Sequence, residues 1–345
     1  MRFLFVGGGT GGHLTPGIGL AEELRRRGHS TLFLCNGRTV EANYFGDAET
    51  AHSLGIDDSK LPRPAALVRA MVRARREARE FLPDLVFALG GAGSTAALAI
   101  SSKVPMVTIE SNLVVGRSVK LLNRFARQTF TLFPQTAAQL RRGRCIGPIG
   151  RDDLKPIARE LACAQFGLAP DRPILLVLGG SQGARDLNLA VARMAPRLAQ
   201  LNMQLLAICG PGKLKDLQRP CKNAGLTACL LEHCREMGAA YSAAEFALCR
   251  GGAATIAELW LNHLPAVIVP YPYHKDRQQE RNAEALVPGV SIENHLDPAA
   301  EQRILQLLSN PLQRRRMSSF LKQVCPPDGK SSAADLMEEI ALGKA

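Results

Sequence analysis

The chain of 345 residues is poor in aromatics, with one tryptophan and four tyrosines. So few flat rings supply base stacking badly, which disfavours single-stranded nucleic acid as a partner. Its nine cysteines occur singly, without C-x-x-C spacing or pairing with histidine. That pattern points to neither a zinc site nor a disulfide framework, and it fits a reduced, cytosolic setting. No D-x-D run is present, so no metal held by paired acids is indicated. No apolar stretch approaches the ~18 residues that span a bilayer. Met1-Arg2 leads straight into a strand and a glycine loop, which leaves no signal peptide. Any membrane contact is therefore expected to be peripheral. Acid is the scarcer charge: 43 Lys and Arg stand against 31 Asp and Glu, a net +12. Such an excess calls for nucleic acid, an anionic membrane face or an anionic small substrate. With 46% hydrophobic and 21% charged residues, the chain reads as a folded globular protein. Its length favours two domains.

What is present is glycine in particular places. Gly7-Gly8-Gly9-Thr10-Gly11-Gly12-His13 follows the apolar run 3–6, and Gly179-Gly180-Ser181-Gln182-Gly183-Ala184 follows the apolar run 174–178. Both precede helical patterns. A buried strand that feeds glycines into a helix lets the backbone and the free N–H groups of the helix start approach a phosphate. Two such turns, half a chain apart, point to two nucleotide-type domains. Strand-like segments at 2–6, 31–35, 84–89, 106–109 and 128–132 alternate with helical patterns at 15–27, 66–81, 94–100 and 119–126. A Gly/Pro-punctuated stretch at 145–151 suits a linker. The scheme then repeats, with strands at 174–178, 204–209, 244–249 and 266–269 and helices at 187–201 and 256–262. The alternation predicts an α/β fold with parallel sheets covered on both faces. The expected domains are 1–150 and 151–328, with 329–345 crossing back to the first.

Gly7-x-Gly9-x-x-Gly12 formally satisfies a dinucleotide fingerprint, which is weak by itself. The second strand ends without an acid before Glu41, and Arg38 keeps an NADP reading open, though it leaves the turn at 179–184 unexplained. His13, within the first loop, is a candidate base or phosphate donor. Glu110 and Asn112 follow a strand end, where open sheets bind ligands. Glu110 is a candidate base, with an N-capping role as the structural alternative. Glu258 stands one turn into a helix that follows Arg250-Gly251-Gly252-Ala253-Ala254-Thr255 and has the chemistry to accept two ribose hydroxyls. Gln278, Gln279 and Asn282 share a helix face and are candidates for sugar hydroxyls.

Together these residues resemble the MurG family of peripheral-membrane glycosyltransferases, over almost the whole chain. The likeness rests on Gly8–His13 with Pro16, Glu110-x-Asn112 with Gly116 and Asn123, and Gly179–Ala184 with Asn188. It continues through Cys249-Arg250-x-Gly252-Ala253-x-Thr255 with Glu258 and Pro265, and through His274-Lys275-Asp276-Arg277-Gln278-Gln279. The resemblance implies a GT-B fold, with two Rossmann-like domains facing across a cleft. It implies an inverting transfer of N-acetylglucosamine from UDP-N-acetylglucosamine to undecaprenyl-linked lipid I, forming lipid II for peptidoglycan, without metal or cofactor. By the same likeness Thr10, Gly11 and Gly12 border the sugar and the acceptor diphosphate, and Asn112 reaches the sugar. Arg151 and Ser181 contact the donor diphosphate, and the backbone at Cys234 reads uracil. Ala253, Ala254, Thr255, Ile256, Ala257 and Glu258 frame nucleotide and ribose, and Gln278, with Gln279 and Asn282 beside it, meets the sugar. His13 or Glu110 serves as the base. The chain departs from the family at Ile109 and Ser111, where His and Gln are usual, and in a shorter loop at 90–96 that lacks a tyrosine.

Residues 63–79 carry Arg63, Arg69, Arg73, Arg75, Arg76 and Arg79 beside Leu67, Val68, Met71 and Val72. This suits either an interfacial helix on an anionic membrane or a helix that packs its apolar stripe on the sheet. The implied location is the cytoplasmic face of the bacterial inner membrane. Rival readings are a UDP-N-acetylglucosamine 2-epimerase-like enzyme and a UDP-sugar-binding protein without catalysis. Nucleic acid is the least favoured partner.

Overall fold

The computed structural model describes residues 1–37, 51–56, 62–273 and 276–344. Arg38, Glu41, His274 and Lys275, singled out above, lie outside the described residues. The chain divides into two compact units, Met1–Arg151 with Pro326–Ala345, and Asp152–Cys325.

In the first unit the strands are β1 (Arg2–Val6), β2 (Ser30–Cys35), β3 (Ala51–Ser53), β4 (Leu85–Ala88), β5 (Met106–Glu110), β6 (Gln128–Thr131) and β7 (Gly143–Cys145). All pair in parallel, in the order β3-β2-β1-β4-β5-β6-β7. Side chains alternate across a strand, and β1 shows the consequence. Phe3 and Phe5 join Phe33, Phe87 and Phe130 on one face. Leu4 and Val6 join Leu32, Leu34, Val86 and Ala88 on the other. The aromatic face is continuous: Phe5 stacks on Phe33 at 4.6 Å and tilts against Phe87 at 5.4 Å. Leu14, Leu20 and Leu24 of helix Gly11–Arg26 cover it, together with Ala333, Leu336, Met337 and Ile340 of helix Lys330–Ala341. On the aliphatic face, Ala70, Ala74 and Ala78 of helix Arg63–Phe81 recur every fourth residue and let that helix lie close to the sheet.

The C-terminal helix is tied to the first unit by charge as well as by packing. Arg27 donates to Asp335, to Glu338 and to the Ser331 hydroxyl, while its Nε donates to Glu23 at 2.8 Å. Glu23, gripped first by Arg26 and then by Arg27, has its carboxyl held down to about 2. The backbone N–H of Gly329 donates to Pro148, and that of Gly150 to Asp328.

The second unit repeats the plan with β8 (Ile174–Leu178), β9 (Gln204–Ile208), β10 (Ala228–Leu231), β11 (Phe246–Cys249), β12 (Ala266–Ile268) and β13 (Val290–Ile292). Its order is β10-β9-β8-β11-β12-β13, again wholly parallel. Both units show the doubly wound arrangement, in which chain order reverses beside the first strand and ligands gather at the strands' C-terminal ends.

Some local expectations change. The segment Ala92–Ala99 is a 3-10 helix because Ser94 and Thr95 turn their hydroxyls back onto the carbonyls of Gly91 and Ala92, a local bond that competes with α-helical geometry. The first helix begins at Gly11, inside the glycine loop. Strands β3, β7, β10 and β13 have no counterpart in the sequence reading.

Met337 is fully buried between the C-terminal helix and the aromatic face. Met337→Ala is expected to destabilise the fold by about 2–5 kcal/mol, read as a lower urea midpoint at unchanged slope.

Candidate functional site

In the first unit the site is set by two glycine loops that touch. Gly7, with φ of 119°, approaches the 90–94 turn so closely that a Cβ there would lie 2.9 Å from both the Gly90 carbonyl and the Ser94 Cβ. A Cβ on Gly91 would meet the Gly8 carbonyl at 2.9 Å and the His13 Nδ1 at 3.2 Å. The two loops thus form a floor of bare backbone under the His13 ring, which shares a 3.1 Å hydrogen bond with the Thr10 hydroxyl through Nδ1. Thr10 is exposed, Gly12 and His13 are half-buried, and Gly11 is buried. In the tautomer in which Thr10 accepts from Nδ1–H, the ring's lone pair lies on Nε2.

Glu110 ends β5 and is 4% exposed. Its Oε1 accepts from the backbone N–H and the side-chain amide of Asn112, both at 2.9 Å, and its Oε2 accepts from the Gly116 N–H at 2.7 Å. Burial pushes its carboxyl above the usual range, against the pull of these three donors. A carboxylate so engaged is a clasp on the 112–116 loop. Asn112, half-buried at the loop's start, is held in place by this clasp. Arg151, which ends the first segment of this unit, is 6% exposed.

In the second unit three loops follow the adjacent strands β8, β11 and β12, whose last residues Leu178, Cys249 and Ile268 are in register. The first loop carries the exposed Ser181. It is pinned where a Cβ on Gly183 would fall 2.1 Å from the Cys209 carbonyl. It leads into helix Arg185–Gln200, which has no side-chain cap. The second loop, Gly251–Gly252, leads into the similarly uncapped helix Ala253–Leu261. A Cβ on Gly251 would meet the Gln279 carbonyl at 2.2 Å, which packs the second loop against the start of helix Gln278–Glu284, beyond the third loop. The first-turn N–H groups of a helix lack intrahelical acceptors, so both starts present donors and a positive dipole end.

Arg250 ties the loops together. Its Nη1 donates to the Val269 and Pro270 carbonyls at 2.9 and 3.1 Å. Its Nη2 meets both oxygens of Asp186 at 2.6 Å. The guanidinium also lies 5.8 Å from the Tyr271 ring centroid. On the helix, Ala254, Thr255 and Ala257 are half-buried and Ala253 is 7% exposed, while Glu258 is 9% exposed and accepts a 2.8 Å hydrogen bond from the Tyr241 hydroxyl.

Two sequence-based assignments change here. The Ile256 side chain is fully buried in the core, so it does not line the site. Asn282 is fully buried as well, and its amide donates to the Gly251 carbonyl at 3.1 Å; it supports the second loop from beneath. Gln278 and Gln279 are half-buried, and the Gln279 side-chain carbonyl accepts from the Tyr271 N–H at 2.9 Å. Cys234 follows β10, the edge strand. It is half-buried, and burial raises its thiol to about 11. Sequence reasoning missed Tyr241, Asp186 and Tyr271. Only Asp186 left a local signal, as an acid in the first turn of a helix after a glycine loop.

The chain is similar to known proteins over nearly its whole length. Residues 3–131 match the glycosyltransferase family 28 N-terminal domain, and residues 174–340 match the C-terminal domain of the same family. A UDP-N-acetylglucosamine--N-acetylmuramyl-(pentapeptide) pyrophosphoryl-undecaprenol N-acetylglucosamine transferase from Anaeromyxobacter sp. (strain Fw109-5) is 33% identical, over 99% of this chain and 93% of the relative. The crystal structure of Acinetobacter baumannii MurG superposes with a TM-score of 0.77 at 25% identity, covering 98% of this chain and 99% of that one. A UDP-GlcNAc 2-epimerase from Neisseria meningitidis, bound to UDP-GlcNAc, has a TM-score of 0.68 at 13% identity, covering all of both chains. That last likeness is one of fold.

Because its folded-state carboxyl is raised, Glu110 binds more protons native than unfolded between its ordinary and its raised value. Stability from this group is full at low pH and falls as pH rises through that window. Glu110→Gln is expected to remove this component, so that the difference in urea midpoint between wild type and variant shrinks as pH increases across it.

Proposed function

Because the chain belongs to the UDP-N-acetylglucosamine--N-acetylmuramyl-(pentapeptide) pyrophosphoryl-undecaprenol N-acetylglucosamine transferase family, we infer that it transfers N-acetylglucosamine from UDP-N-acetylglucosamine to lipid I. The product is lipid II, for peptidoglycan. The observation that carries this is sequence identity across 99% of the chain. The tandem of glycine loops at the strand ends supplies the chemistry that the reaction needs.

In this reading the acceptor hydroxyl attacks the anomeric carbon directly and inverts it while UDP departs. His13 takes the hydroxyl proton at Nε2, held by Thr10 and by the backbone floor of Gly90 and Gly91. Gly11, Gly12 and the loop at Asn112 border the acceptor and the sugar. Charge developing on the diphosphate is met by N–H groups at the starts of helices Arg185–Gln200 and Ala253–Leu261, with Ser181 and Arg151. Fixed donors of this kind are worth roughly 3 kcal/mol of barrier each. The backbone at Cys234 reads the uracil. Glu258 takes the ribose hydroxyls, with Ala253, Ala254, Thr255 and Ala257 framing the nucleotide, and Gln278 and Gln279 meet the sugar.

We further propose a peripheral site of action on the cytoplasmic face of the bacterial inner membrane. No described helix is long and apolar enough to cross a membrane. Helix Arg63–Phe81 turns Val68 and Val72 outward, 62% and 65% exposed, among the exposed Arg69, Arg73, Arg75, Arg76 and Arg79. Leu67 and Met71 are half-buried beside the core-facing alanines. Exposed aliphatics in a ring of guanidiniums suit an interfacial helix on anionic lipid, at about 1 kcal/mol per basic side chain.

Incubation with UDP-N-acetylglucosamine and a soluble lipid I analogue should yield the transferred product and UDP. Epimerised donor, or binding without turnover, would select a rival reading. His13→Ala is expected to lower kcat by about 10²–10⁴-fold with little change in donor KM. Val68→Asp with Val72→Asp should abolish sedimentation with phosphatidylglycerol vesicles while leaving turnover of the soluble analogue intact.

A further inference from the structure

We propose that Tyr241 is a positioning residue for the nucleotide ribose, acting through the Glu258 carboxylate. The inference rests on the ribose role of Glu258 given above. A carboxylate that accepts two vicinal hydroxyls must present its lone pairs in one fixed plane. The last torsion of a glutamate is broad and roughly two-fold, so the side chain alone does not fix that plane. Tyr241 supplies what is missing. Its hydroxyl donates to Glu258 Oε2 at 2.8 Å, and it does so from a rigid ring that is 3% exposed.

The ring is itself anchored. Tyr241 lies in helix Met237–Ala243, one turn after Gly238. A Cβ on Gly238 would come 2.5 Å from the Asp153 carbonyl and 2.8 Å from the Lys155 carbonyl. That helix is therefore pressed onto the 153–155 segment, and the Ser242 hydroxyl accepts from the Ile157 N–H at 3.1 Å. The phenol thus reaches Glu258 from an element held at close range on another side. The chain has four tyrosines, and this one is buried with its hydroxyl on a carboxylate of the proposed donor site. A hydrogen bond to a charged acceptor is the strong kind. Loss of the hydroxyl leaves the ring's packing in place and removes this hold on the carboxylate, and the penalty falls on a ligand that needs both ribose hydroxyls.

The test is isothermal titration calorimetry of the full chain with UDP and with 2′-deoxy-UDP, for wild type, Tyr241→Phe, Glu258→Gln and the double variant. Tyr241→Phe is expected to weaken UDP by about tenfold and 2′-deoxy-UDP by far less, so that the preference for the ribonucleotide narrows. The double variant should bind UDP no more weakly than Glu258→Gln alone. A thermal midpoint for Tyr241→Phe within a few degrees of wild type separates this from general loosening. If Glu258→Gln narrows the preference and Tyr241→Phe does not, Tyr241 is packing only and the proposal falls. Additive losses in the double variant overturn it equally. If Glu258→Gln leaves the preference untouched, the ribose reading of Glu258 fails first and takes this inference with it.

Discussion

The site depends on backbone approaching backbone where no side chain fits. At Gly7 against Gly90, at Gly91 against Gly8 and His13, at Gly183 against Cys209, and at Gly251 against Gln279, an added methyl would lie closer than van der Waals contact to a neighbouring main-chain atom or ring. Relaxation there means moving a whole loop, because the obstructing atoms are mostly carbonyls and not the tips of flexible side chains. Each contact joins loops that follow neighbouring parallel strands. Strand register therefore fixes where the loops begin, and glycine contact fixes where they end. The peptide N–H groups and the His13 ring are placed by that double constraint.

Buried polar groups then hold what the glycines allow. Glu110 spends both oxygens on the loop that carries Asn112. Asn282 holds the Gly251 carbonyl from inside the core. Arg250 joins the carbonyls that end β12 to Asp186 on the helix after β8. A polar group taken out of water is costly unless it is hydrogen-bonded, so each brace is an all-or-none feature: satisfied it stiffens the loop, unsatisfied it unfolds it. This explains why residues that read as ligand-facing in the sequence turn out to face the protein. Amides and carboxylates near a phosphate loop are chosen as much for their hold on the backbone as for their reach to a substrate.

The two-domain, all-parallel plan was legible because it is written locally. A buried run such as 174–178 followed by Gly179-Gly180 defines strand, turn and helix start within a dozen residues. In the structure Ala333, Leu336, Met337 and Ile340 of the C-terminal helix pack on the aromatic face of the first sheet. The short strands at the sheet edges, β3, β7, β10 and β13, were not legible. They are too short for a period to show, and they exist because a neighbouring strand offers its edge. The partners of Glu110 and Glu258 were hidden for another reason. Asn112 and Gly116 lie close in sequence, but nothing in the residue types says that one carboxylate will take all three of their N–H groups. Tyr241 is 17 residues from Glu258 and meets it only once the helix Met237–Ala243 has been pressed into place.

Ile109 and Ser111, where the family usually has His and Gln, take on a definite meaning in this light. Ile109 is 5% exposed and belongs to the aromatic-face core with Phe87 and Phe130. Alternation along β5 sends its side chain away from the face that Thr108 and Glu110 share. A histidine at 109 would thus sit among phenylalanines and the C-terminal helix, where its polar atoms would demand partners that this chain does not provide there. The Glu110 clasp, by contrast, needs only the Asn112 amide and two backbone N–H groups, all of them present. The loop that positions Asn112 is therefore complete without either family residue. Ile109 packs behind the strand, while the floor under His13 is built from Gly7, Gly8, Gly90 and Gly91.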